Sequence, residues 1–201
     1  MDIIELFSWL AKVMLYGATA SVLGALFLRN LSENHAGIVV WLLSYIRWGS
    51  VIGMTSIVMS CMSQLLMFGG LSISSLSDWE TLTMLLNSTL GWSWGLAFIG
   101  FLGCFIGTLD KINELIRVLW LTSGTVIVVL SFWFTGHFVD SQWYEHLPLL
   151  VHLIAISMWM GALLPLWKVT TITDLELMRR IMFKFGKICL LYTSDAADEE
   201  D

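Results

Sequence analysis

Three of the four histidines fall within nineteen residues, in "TGHFVDSQWYEHLPLLVHL" from Thr135 to Leu153, together with Asp140 and Glu145. Imidazole binds zinc, copper, iron and nickel, whereas the methionine thioether favours Cu(I). The chain carries eleven methionines, and Met59 and Met62 stand three apart on one helix face with Cys61 beside them. His137 and His152 at one depth, with thioethers nearby, point to copper. A haem held between the same two histidines satisfies the same pattern. So does a cofactor-free role in which the rings only hydrogen-bond across helices. His146, next to Glu145, is expected in an aqueous loop and to contribute less. Met59 and Met62 are weaker candidates again, because methionine also fills gaps in ordinary packing. His35 sits in a different loop and is assigned no role.

The elements that must position these groups are membrane helices. The chain is 57% hydrophobic and 13% charged, with a mean hydropathy of +0.80. Val13 to Leu28, Val51 to Leu71, Leu90 to Leu109, Leu115 to Phe134 and Leu147 to Trp167 each approach the ~20 residues a bilayer-crossing helix needs. Helices satisfy their own backbone groups in lipid, so the fold expected is an all-α polytopic bundle of about five spans. "FKFGKI" reads as the start of a sixth. Asp2 and Glu5 occupy the place of a basic n-region, so the first span is expected to be retained rather than cleaved. Cys61, Cys104 and Cys189 form no C-x-x-C pair and suggest no disulfide framework. No H-E-x-x-H motif occurs and no carboxylate lies inside a span, so an enzyme is not expected.

Charge sets the expected orientation. Nine of the ten basic residues group beside alternate loops: Arg29, Arg47, Lys111, Arg117, Lys168, Arg179, Arg180, Lys184 and Lys187. The intervening loops carry Asp78, Glu80, Asp140 and Glu145 without Lys or Arg. The positive-inside rule then places the N-terminus and the histidine loop outside. Lys12 is left over and can snorkel from the outer third of the first span. Span four is expected to end near His137, and Pro148 to open span five, with His152 one turn below it. Between spans two and three, Ser77-Asp78-Trp79-Glu80 fits a capping box that opens a short helix to about Asn87, lying flat on the membrane.

The stretch "SFWFTGHFVD" followed by "LPLLVHLIAISMWMGALLPLW" resembles the core of the copper resistance D (CopD) family. The matching positions are Gly136-His137, then His152-Leu153, Ala155, Trp159, Gly161 and Pro165. The resemblance implies a bacterial inner-membrane protein of copper uptake or tolerance, working with a periplasmic copper-binding partner of the CopC type. It implies His137 and His152 as periplasmic copper ligands or entry-site residues. It also implies further spans beyond Ile188. The ending "CLLYTSDAADEED" resembles translated sequencing adapter and holds five of the sixteen acids. Residues 1–188 are therefore expected to form an incomplete CopD-like membrane domain, and 189–201 a non-native acidic tail.

Overall fold

The computed structural model describes residues 3–32, 35–69, 78–134, 143–172 and 175–197. Seven helices follow in order: α1 (Ile3–Leu31), α2 (Ala36–Phe68), α3 (Trp79–Leu86), α4 (Thr89–Gly107), α5 (Glu114–Ser131), α6 (Trp143–Ile172) and α7 (Leu175–Ala197), with a 3-10 turn at Phe132–Phe134. Five of them are long and apolar enough to cross a membrane: Ile3–Leu31, Ala36–Phe68, Thr89–Gly107, Glu114–Phe134 and Leu147–Thr171. The chain is an all-α multi-pass membrane bundle. Its outer surface is as greasy as its core, with Trp9, Val13, Leu119 and Leu163 all exposed. That surface suits lipid rather than water.

Boundaries differ from the sequence expectation at α2 and α3, and again at the start of α6. The second span was expected from Val51, but α2 begins at Ala36 and carries Arg47 inside the helix rather than in a loop. At 1.5 Å per residue a helix of 33 residues is about 50 Å long, well beyond a ~30 Å hydrocarbon core. The residues after Arg47 suffice to span, so hydropathy alone finds only that part. The second difference is the cap of α3. Asp78, not Ser77, is its N-cap, while Ser77 lies outside the described residues. The Asp78 carboxylate accepts from the Thr81 hydroxyl at 2.6 Å and the Glu80 N–H at 3.1 Å. These bonds, the Thr81 hydroxyl foremost, hold its carboxyl below the ordinary value. On α3 only Leu85 is buried, whereas Trp79 and Leu86 are exposed.

Packing is centred on α1, which lies against both α2 and α6, while α4 pairs with α5 and also contacts α2. Two crossings use small residues so that backbones meet. A side chain at Gly161 of α6 would overlap the Ala20 carbonyl of α1, and one at Gly24 would overlap the Gly161 backbone. Across α4 and α5, Gly100 and Gly124 each leave room for the other's carbonyl. Several serines and threonines in the spans turn their hydroxyls onto their own helix, as Thr19 does to the Leu15 carbonyl and Ser56 to the Gly53 carbonyl. That satisfies them without a partner helix.

One end of the bundle is tied by arginines. Arg29, near the end of α1, is buried and pairs with Glu114 at the start of α5. Arg117 reaches the other Glu114 oxygen at 3.4 Å and donates to the Leu109 and Ile112 carbonyls. Arg47 donates to the Thr108 hydroxyl and carbonyl at 3.2 and 2.6 Å, with Asp110 3.6 Å away. The ends of α1 and α4 thus meet the start of α5 at this arginine end, beside the early turns of α2. Successive spans therefore alternate in direction.

Candidate functional site

At the opposite end the spans part around a chamber of about 700 Å³. Its polar wall combines Lys12 of α1, Ser60, Ser63 and Gln64 of α2, Ser93 of α4 and His152 of α6. Four different spans contribute, and helical spacing explains how. Ser60, Ser63 and Gln64 follow i, i+3, i+4 and so share one face of α2. Gly161 meets Ala20, and α1 and α6 run the same way. Nine residues back along each helix, about 14 Å, bring His152 level with Ala11 and Lys12.

The local chemistry of this layer is donor-rich. Ser63 gives its hydroxyl hydrogen to the Ser60 carbonyl at 2.8 Å. The Lys12 ammonium stands over the Trp9 ring at 5.6 Å from its centre, within range of a cation–π attraction. Among the described residues, none that lines the chamber is acidic. His152 is exposed to this space rather than enclosed by protein. It therefore has a ring free to meet a ligand, in a layer where each described polar neighbour is neutral or cationic.

The other candidates are placed less completely. His137 and Asp140 lie outside the described residues, as do the side chains of Glu145 and His146. The backbone of His146 belongs to the first turn of α6 and not to a loop, since that helix begins at Trp143. Helix formation already at Trp143 also puts Pro148 in the second turn rather than the first. Met59 is half-buried and Met62 exposed on the bundle surface. Neither lines the chamber, whose α2 face is the one bearing Ser60, Ser63 and Gln64. Among the described residues no three His, Cys, Asp or Glu side chains converge into a metal-binding group.

What the histidine spacing missed was legible in part. Lys12 is an ionisable residue well inside an apolar run, which by itself marks a functional position, yet snorkelling accounts for it equally well. The Ser60-Ser63-Gln64 face was readable as a polar stripe in a span. Ser93 and Leu149 gave no such signal.

His152 also lines a second, apolar cavity of about 520 Å³ beside the chamber, bounded by Phe27 of α1, Ala155 and Trp159 of α6 and Phe185 of α7. Phe27 and Phe185 touch with ring centres 5.9 Å apart. Compared with models of protein families, with curated proteins and with solved structures, the chain finds no match.

Proposed function

We propose that this chain handles copper in a bacterial inner membrane, accepting the ion at the periplasmic face and passing it inward. The observation that carries the reading is the His152 imidazole opening onto a polar chamber among four spans, at the end away from the arginines. Basic residues retained at Arg29, Arg47 and Arg117 favour a cytoplasmic arginine end. The chamber then faces the periplasm. His152 would be one ligand and His137 a second, with His146 contributing less. Met59 and Met62 stand away from the chamber and would serve only along an approach route. A periplasmic CopC-type protein is the partner this reading calls for, as the donor of copper to the chamber. The resemblance of Gly136-His137 and His152-Leu153 to the CopD family supports the choice of metal.

Orientation is checked by labelling intact cells with an impermeant thiol reagent, after introducing cysteine at Ser141 or Thr173. Labelling at Ser141 alone is expected. Labelling at Thr173 alone would reverse the topology. The site is checked by copper retention at matched expression. His137→Ala and His152→Ala are each expected to lose most bound copper, because one lost ligand leaves an incomplete shell. His146→Ala should lose less, and His35→Ala none. Copper retention equal to the parent in both His137→Ala and His152→Ala would make the histidines structural.

A further inference from the structure

The chamber's donors suit an anion beside any metal at His152, and its shape continues into grease. Lys12 is the one formally charged side chain among the described lining residues, and none of those residues is a carboxylate. The Ser60 and Ser93 hydroxyls, the Gln64 amide and the Lys12 ammonium together make a set of donors suited to a phosphate oxygen. His152 and Ile156 line both this chamber and the apolar cavity between α6, α7 and α1. The two spaces are therefore neighbours across a single pair of α6 residues. Along α6 the groove's wall runs from Val151 to Trp159, about 12 Å at 1.5 Å per residue. One leaflet of hydrocarbon is about half of a ~30 Å core. The groove can thus take most of one acyl chain lying parallel to the spans.

We propose that the chamber and groove together hold one anionic phospholipid, with its phosphate at Lys12 and one tail along Ala155 and Trp159. The occupant follows from complementarity on both sides. A cationic donor set selects a phosphate, and an apolar groove open to the bilayer selects an acyl chain. A free phosphate would leave the groove unused, and an apolar molecule would leave the Lys12 ammonium with only the Trp9 ring. Such a lipid also supplies the negative charge that a metal at His152 would otherwise lack. The lipid site rests on the charge and shape of the cavities and not on the copper reading.

The test needs no copper, so its outcome is separate from that reading. The full chain is purified from bacterial membranes in mild detergent, and its retained lipids are counted by mass spectrometry against the bulk membrane. The parent should be enriched in phosphatidylglycerol over phosphatidylethanolamine. Lys12→Gln should lower that enrichment about fivefold, the effect of one basic residue on an anionic lipid, while Lys12→Arg keeps it. Ala155→Trp, which fills the groove, should lower retention although Lys12 is intact. A second readout covers any variant that fails to fold. The parent's thermal midpoint should rise with added phosphatidylglycerol and not with phosphatidylcholine. Retained lipid in bulk proportion, or unchanged enrichment in Lys12→Gln, overturns the proposal. So does inorganic phosphate that stabilises the parent as well as phosphatidylglycerol does.

Discussion

Replacing Gly161 with leucine is expected to cost the bundle its fold. The position faces backbone, not the flexible tip of a side chain: a Cβ there meets the Ala20 carbonyl, and Gly24 approaches Gly161 from the other helix. Overpacking a well-packed site costs about 1–3 kcal/mol when side chains can shift. Here the helices themselves must separate, so the cost should exceed that range. The α1–α6 crossing also fixes His152 level with Lys12, and a forced separation would open the chamber. Gly17 and Gly186 have nothing within 4 Å of an added Cβ, so Gly17→Leu and Gly186→Leu serve as controls. The measurement is the thermal midpoint in detergent, with monodisperse yield beside it. Gly161→Leu should yield little folded protein, and the controls should resemble the parent. Equal stability of Gly161→Leu and Gly17→Leu would mean that the two helices do not meet at these glycines.

The second large effect belongs to the arginine end. Arg29 is only 4% exposed, and among the described residues its Nε has no hydrogen-bond partner. Its guanidinium depends on Glu114, which also faces Arg117. Arg117 keeps two backbone carbonyls without Glu114, but Arg29 loses its ion pair. Removing one member of a buried pair costs about 3–5 kcal/mol. Glu114 is 64% exposed, so water screens part of that interaction and about 2 kcal/mol is the expected loss for Glu114→Ala. Arg29→Met should cost less, because it removes the buried charge along with its partner. In the Arg29→Met background, Glu114→Ala should have little further effect. The check is a double-mutant cycle on unfolding free energy. Additive losses would show that the pair is incidental.

The fold was legible because lipid demands it: long apolar runs without charges can be little other than spans. Legibility failed where a helix outran its apolar stretch. The first turns of α2 are helical for reasons of packing and end-pairing, with Ile38 and Leu42 buried in the core. Hydropathy sees only the part after Arg47. The α3 cap was read one residue early, because serine and aspartate are equally good N-caps and the fit to S-x-x-E favoured the serine. The candidate site was half legible. His152 stood out because an imidazole inside a span is rare. The layer around it did not, since Lys12, Ser60 and Ser93 become neighbours only once α1, α2 and α4 are assembled. Met59 and Met62 share a side of α2, as spacing requires, and neither is among the described residues that line the chamber.

The copper reading meets its most direct test in X-ray absorption at the copper K edge, on protein expressed from its complete gene and loaded with copper. Near-integral copper and the scattering pattern of imidazole nitrogen are expected in the parent. His152→Ala should lose most of the metal, and the imidazole signal of any remainder should weaken. An optical spectrum of the same sample should lack a Soret band. Copper bound at parental occupancy with an unchanged imidazole pattern in His152→Ala, or a Soret band in the parent, would contradict copper binding at this chamber.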